Sequence, residues 1–445
     1  MKKERISLIL ELLFIFFISL IYGLFVYEVT MDEIWLYGFT NNIASGMIPY
    51  LDFNLVTTPL YPLLGSFFLR ILGSNLISYY IYNSLLMTFI YYIIRKINKP
   101  SAVITTAFII IVVMIPTYNI LCFLCLFLII YLEQKVNKPD YLIGFILGLL
   151  LLTKQSIGLI CLLPSLYLII KKQADGKKRL IGFSIPVICL FIYLLINKAF
   201  FPFIDYTILG LFDFRKDNLE LGIGFFLTIL IILFLLYRLF IKKDKSIFLL
   251  YVLAFQIMNY PLFDIPHVLL SLVPVICYLT ASISFKRPLI VYILVPIILV
   301  MNFIRFTDYY QKNNYIWNNS LNLVKYKYLK EETVSNIKTI TSYLIDNPST
   351  YIFSYQAYLF KLEAGLKLDK YDLVNDGNMG YNGASKYIEE LSNLTSSKTI
   401  NFLIPKDDKL IGQTSTELIN WVHESFDYIG SISSYNIYRS KDMQK

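Results

Sequence analysis

The sequence predicts a polytopic α-helical membrane protein with a small α/β domain at its C-terminus. Three observations carry this. The chain has 445 residues, of which 57% are hydrophobic and 16% charged, and its mean hydropathy is +0.60. A soluble chain with that balance would expose large apolar patches. The apolar residues fall into about eleven runs separated by short charged clusters. The composition then turns polar from about residue 306.

The runs lie at about 6–27, 76–94, 101–116, 118–132, 141–152, 157–170, 181–197, 221–240, 246–259, 267–284 and 288–304. The first has a basic start, "MKKER", and no small-residue cleavage site after it, so it reads as a spanning helix rather than a signal peptide. Many tyrosines sit near the ends of runs, where amphipathic rings favour the headgroup region. With the N-terminus inside, alternate connections carry most of the basic residues, including Arg95, Lys96 and Lys99, the cluster Lys171–Arg179, and Lys242, Lys243 and Lys245. Arg70, Lys154, Lys198, Arg215 and Lys216 fall on the other side. This is the positive-inside pattern, and an odd number of spans places the tail outside. The net charge of +9 is thus an orientation signal and asks for no nucleic-acid partner.

Residues 141–152 rise only roughly 18 Å, against about 30 Å of hydrocarbon. The run at 157–170 is little longer. Two short helices meeting at "TKQSIG" fit the charge rule better than one long helix. They leave Lys154 at membrane depth, where irregular backbone and charge are tolerated next to a wet, protein-walled cavity.

All five cysteines (Cys122, Cys125, Cys161, Cys189 and Cys277) lie in apolar runs, so the tail has no disulfide framework. Cys122-x-x-Cys125 reads as two buried thiols rather than a redox pair. In the tail, "STYIFSY" and "KTINFLIP" read as strands, and "YKYLKEETVSNIKTITSYLID", "GASKYIEELSNL" and "STELINWVHESF" as helices. "FDYIGSI" and "YNIYRS" read as a final strand pair. The loop "YDLVNDGNMGYNG" (371–383) lacks the glycine spacing of a nucleotide fingerprint. It is either a turn needing positive φ or a loop that touches an acceptor or lids the cavity.

Asp32 and Glu33 follow the first run directly. Thr30-Met31-Asp32-Glu33 matches a helix capping box, and acidic residues in a first helical turn suit the helix dipole. Capping and chemistry do not exclude each other. Trp35, Leu36, Phe39 and Ile43 then form the apolar stripe of an interfacial helix. The stretch "DEIWLYGFTNNIASGMIPYLDFNLVTTPLYPLLGSFFLRILG" continues through Gly46-x-x-Pro49-Tyr50-x-Asp52-Phe53 to a Pro59–Pro62 turn.

This stretch resembles the first outer loop of the GT-C membrane glycosyltransferases, nearest to bacterial relatives of protein O-mannosyltransferases (glycosyltransferase family 39) and to lipid A aminoarabinose transferases. "LLTKQSIGL" (151–159) and "YPLFDIPHVLLSLVP" (260–274) are similar to the same group. The resemblance covers about residues 1–305. It implies a GT-C transmembrane domain over 1–305 with a first outer loop at 28–75, and an extracytoplasmic domain over 306–445. It also implies inverting transfer of a sugar from a polyprenyl-phosphate donor to a glycan, lipid or protein acceptor, on the outer face of the cytoplasmic membrane.

On this reading Asp32 is the general base, with Glu33 orienting the acceptor, assisting Asp32 or capping the helix. Consecutive helical residues point about 100° apart, so Glu33 need not face the same cavity. Lys154, Arg215 and His267 are candidates to bind the donor phosphate. Lys154 could instead snorkel, Arg215 could sit in a solvated loop, and His267 could make a structural hydrogen bond. Tyr50, Asp52, Gln155 and Asp264 are assigned to substrate loops, and His423 to the tail surface. No His/Cys cluster offers a zinc site. Some GT-C enzymes use a divalent cation, and Asp32, Glu33, Asp52 and Asp264 are the oxygen ligands available to one; no metal is assigned. A transporter or flippase of lipid-linked sugars would show paired interrupted helices in two halves, and no internal repeat is visible. A polysaccharide polymerase or ligase of another fold would also act outside on such donors, but the placement of Asp32-Glu33 and the polar tail argue against it. Nothing specific supports a non-catalytic scaffold. The Ile-, Lys-, Asn- and Tyr-rich composition points to an AT-rich bacterial genome.

Overall fold

The computed structural model describes residues 2–26, 29–113, 117–213, 221–283, 288–375, 377–411 and 414–440. Each of the eleven apolar runs carries a helix. Among the described residues, seven helices are long and apolar enough to cross a membrane: 4–26, 76–97, 118–135, 176–196, 223–240, 265–282 and 289–312. The shorter runs form Lys99–Val113, Asp140–Thr153, Gln155–Ile170 and Ile247–Asn259.

The first nine helices, with the later helix Ile265–Ser282, build the frame of the site. They are α1 (Lys2–Ile21, ending in a π-helical turn at Tyr22–Val26), α2 (Met31–Ala44), α3 (Leu60–Leu72), α4 (Leu76–Ile97), α5 (Lys99–Phe108), α6 (Tyr118–Lys135), α7 (Asp140–Thr153), α8 (Gln155–Ile170) and α9 (Gly176–Ile196). In lipid there is no hydrophobic drive between helices, so close packing and buried polar contacts must hold them together. The α7–α9 pair shows the first. A Cβ on Gly144 would lie 2.0 Å from the Arg179 carbonyl oxygen, and one on Gly182 2.1 Å from that of Tyr141. Only glycine at both positions lets the backbones approach this far. The second is the Arg179 guanidinium, which is buried and bonds Asp140 at 2.8 Å, Glu133 at 2.8 Å and Ser165 at 2.9 Å. A second such knot joins Glu11 of α1 to Arg95 and Lys99, each at 2.7 Å.

Helices α7 and α8 meet as the charge pattern requires. Lys154 takes an extended conformation (φ −151°, ψ 110°) between them. Gly158 lies against the backbone of Leu151, so the two short helices form a tight V.

The last long helix continues past residue 305, to Lys312, before the tail begins. A hairpin of β1 (Tyr315–Trp317) and β2 (Tyr328–Lys330) comes first. The main sheet has the order β3-β4-β6-β5, from β3 (Thr350–Ile352), β4 (Asn401–Pro405), β5 (Asp427–Ile432) and β6 (Tyr435–Arg439). The β3–β4 pair is parallel and the other pairs antiparallel, so β3 needs a crossover, which includes the helix Gly383–Thr395. The helix Glu331–Asp346 buries Val334, Ile337, Ile340 and Leu344 along one stripe. The expected strands and helices of the tail are present, except that the first expected helix starts only at Glu331 and the "YLK" before it pairs as β2. The β1–β2 hairpin and the helix Ala357–Glu363 are additional.

The tail lies directly on the membrane part. Trp35 Nε1 donates to the Tyr355 carbonyl at 3.1 Å. Lys386 pairs with Asp205 at 2.7 Å, and Asp205 also accepts from the Tyr381 N–H at 3.0 Å. Phe25 and Trp317 stack at 5.3 Å between centroids.

Candidate active site

Helix α2 begins where the sequence places it. Thr30 is the N-cap, and its hydroxyl accepts from the Glu33 N–H at 3.3 Å. Only half of the capping box forms, because the Glu33 side chain turns away from Thr30. The helix presents Asp32, Trp35, Leu36 and Phe39 to a cavity of about 300 Å³. That spacing of three, four and seven residues is one face of a helix. The opposing walls come from Leu55–Thr57 of the first loop, Thr117–Asn119 at the start of α6, and Asp264, Pro266, His267 and Leu270. Leu373 and Asn378 of the tail complete them.

Asp32 is exposed to this cavity, which is itself walled by protein. Burial pushes its pKa up, an effect strengthened by Asp264 and opposed by His267 and Lys154. It has neither a hydrogen bond nor an ion pair among the described residues. Asp264 differs. It caps the helix Ile265–Ser282, accepting the His267 N–H at 2.8 Å and binding His267 Nδ1 at 2.6 Å. Burial alone would raise the Asp264 pKa, but these bonds outweigh it and hold the carboxyl below its ordinary value. His267, with Nδ1 engaged in this way, lines the cavity.

Lys154 stands behind the cavity wall, its ammonium 5.2 Å from the centre of the Tyr118 ring. It is within electrostatic reach of both Asp32 and Asp264, and it makes no salt bridge among the described residues.

Glu33 does not reach the cavity. It is 1% exposed and accepts a hydrogen bond from the Tyr80 hydroxyl. The 100° step along α2 sends it into the bundle, toward α4 and Lys327 of the tail. Tyr50 and Asp52 are also turned inward. The Tyr50 hydroxyl donates to the Thr57 carbonyl at 2.8 Å, and Asp52 Oδ2 accepts the Ile48 N–H at 2.6 Å. Gln155 ties the Val56 and Thr207 carbonyls together at 3.1 and 3.2 Å. These three side chains therefore brace the loops around the cavity. Arg215 lies outside the described residues. Among the described residues, no group of three or more His, Cys, Asp or Glu side chains could hold a metal ion. The described cysteines, Cys122 and Cys125 included, form no disulfides.

The loop at 371–383 reaches the cavity. Asn54 Nδ2 donates to the Leu373 carbonyl at 2.6 Å and the Asn378 carbonyl at 3.0 Å, which draws both residues over the site. Four participants escape a sequence reading: Asn54, Tyr118, Asn119 and Lys327. Tyr118 and Asn119 had a signal, since Pro116-Thr117 marks a helix start. Asn54 and Lys327 had none, because their partners lie far away in the chain.

The fold recurs in known structures. Over 99% of its length the chain superposes on ArnT from Cupriavidus metallidurans bound to undecaprenyl phosphate, with a TM-score of 0.56 and 98% of that chain covered. The apo state of the same protein gives a TM-score of 0.55 at the same coverage. The chain has the GT-C fold. Sequence identity to both structures is 10%. No family model and no curated protein matches the sequence. Within the GT-C fold the cavity sits where α2, the first loop and the tail meet.

Proposed function

We propose that the protein is an inverting glycosyltransferase that moves a sugar from a polyprenyl-phosphate donor to an acceptor hydroxyl on the outer face of the cytoplasmic membrane. The observation that carries this reading is a single pairing. A carboxylate without a partner among the described residues faces a cavity, and a lysine that makes no salt bridge among them stands behind its wall, against the ring of Tyr118. A buried cation without a carboxylate is costly, and an anionic ligand removes that cost. The fold supports the donor class, since the ArnT structure holds undecaprenyl phosphate.

The acceptor hydroxyl attacks the anomeric carbon from the side opposite the phosphate. The new C–O bond forms as the bond from that carbon to the phosphate oxygen breaks. The electron pair leaves with the phosphate, and the hydroxyl proton passes to Asp32. A raised pKa suits this role, because it makes the Asp32 carboxylate a stronger base. Lys154 stabilises the extra negative charge on the departing phosphate. His267 lines the same space, with Asp264 fixing its ring. Arg215 is a second candidate for the phosphate. Apolar Trp35, Leu36, Phe39 and Leu270 keep bulk water from the donor. Leu373 and Asn378 give the tail a place in the acceptor wall.

Radiolabelled polyprenyl-phosphate hexoses and pentoses, added to membranes holding the protein and native envelope acceptors, test this proposal. Transfer of label to a polymer, glycolipid or protein is expected. Movement of the lipid-linked sugar across the membrane without transfer would indicate a flippase instead.

A further inference from the structure

The tail does more than cover the cavity. Its Lys327 is 1% exposed and sits inside the membrane part. The ammonium donates to the Gly23 carbonyl, in the π-helical turn that ends α1. It also lies 4.5 Å from the centre of the Tyr80 ring, and the Tyr80 hydroxyl donates to Glu33. Close by, the Tyr310 hydroxyl donates to the Val26 carbonyl at 2.5 Å. The last carbonyls of a helix have no partners within it. Here two carbonyls at the end of α1 are met by residues that come 304 and 284 positions later.

The consequence falls on α2. Only a short link separates Val26 from the Thr30 cap, and Asp32 is two residues beyond that. Fixing the end of α1 from one side and Glu33 from the other leaves α2 little freedom to rotate. Burial pushes the Glu33 carboxyl up and the Lys327 ammonium down, while each opposes the shift in the other. Removing one partner would leave the other charge buried and uncompensated.

We infer that Lys327 is a positioning residue, a key supplied by the tail that locks Glu33 and the end of α1 so that Asp32 faces the cavity. This rests on the transferase reading for its effect on rate, but not for the contact itself. It gives the tail a role in catalysis from a distance, in addition to its place in the acceptor wall.

A double-mutant cycle tests it in the full-length protein, purified in detergent. The variants are Lys327→Met, Glu33→Gln and the pair together, with Lys312→Met on the exposed end of the last long helix as control. Transfer rates and melting temperatures are read on the same samples. Lys327→Met is expected to lower kcat on the order of 10- to 100-fold, as for a small misplacement of a reacting group. The KM values for donor and acceptor should stay within about twofold, because the cavity lining is untouched. The double variant should be no slower than Lys327→Met alone, and its melting temperature no lower, since the stranded carboxylate is gone. Multiplied rate losses and summed melting losses would overturn the inference, as would an unchanged kcat in Lys327→Met. If wild type transfers no label, the transferase reading falls. The melting temperatures then decide by themselves whether Lys327 and Glu33 are coupled.

Discussion

Replacing Lys154 by methionine separates a phosphate contact from a snorkelling side chain. Methionine keeps most of the length and apolar surface of lysine and removes the charge. During transfer the lipid phosphate gains about one unit of negative charge, because a diester becomes a monoester. One unit charge at about 4 Å, in an effective dielectric of about 20, is worth about 4 kcal/mol. At about 1.4 kcal/mol per factor of ten, that is about three decades in rate. Sharing the charge with His267 and water reduces the effect, so a kcat loss of about 100- to 1000-fold is expected, the range typical of removing one such donor. Stability should move the other way. Lys154 has no salt bridge among the described residues, so its removal strands no carboxylate. The melting temperature in detergent should hold or rise. The assay is single-turnover transfer from saturating labelled donor, with the melting curve taken on the same preparation. A variant that melts earlier but transfers at the wild-type rate would refute the reasoning and make Lys154 a structural anchor.

Other consequences follow from the same geometry. Asp32 must be ionised to accept a proton and burial raises its pKa, so transfer should rise with pH along an acid limb lying above the ordinary aspartate value of about 4. A pH–rate profile with no limb above that value would contradict this. Arg179→Met leaves Glu133 and Asp140 without their cation, and should cost about 3–5 kcal/mol of stability, read as a lower melting temperature with normal turnover in the folded fraction. Asn54→Leu removes both bonds to Leu373 and Asn378. It should raise the acceptor KM and speed proteolysis at the 371–383 loop, with a stability loss of about 1–3 kcal/mol.

The architecture was legible because lipid allows few solutions. Runs of apolar residues, spaced by basic clusters, gave helices at the expected places, and the shortness of 141–152 and 157–170 foretold the break at Lys154. Asp32 was legible because it follows a spanning run directly and opens the next helix. The apolar stripe of that helix was expected to lie on the membrane, and instead Trp35, Leu36 and Phe39 line the cavity beneath the tail. The direction of Glu33 was not legible, since adjacent helical positions diverge and both carried the same chemistry. Tyr50, Asp52 and Gln155 carried polar side chains at plausible places, yet their hydrogen bonds close on backbone carbonyls and amides around the cavity rather than on the cavity itself. Lys327 was hidden for another reason. "LVKYKYLK" reads as an ordinary charged stretch, and only the folded chain brings it beneath residues 23 and 33. Long-range pairing of this kind leaves no periodicity to read.

The central claim is that Asp32 removes the acceptor proton, and the most direct measurement compares labelled-sugar transfer by wild type and Asp32→Asn in the same membranes. Asparagine keeps the size of the side chain and cannot serve as the base. The account expects transfer in wild type and almost none in the variant, at equal expression and equal melting temperature. Equal transfer by both would contradict it, leaving Asp32 as a cavity-lining residue of the first helical turn.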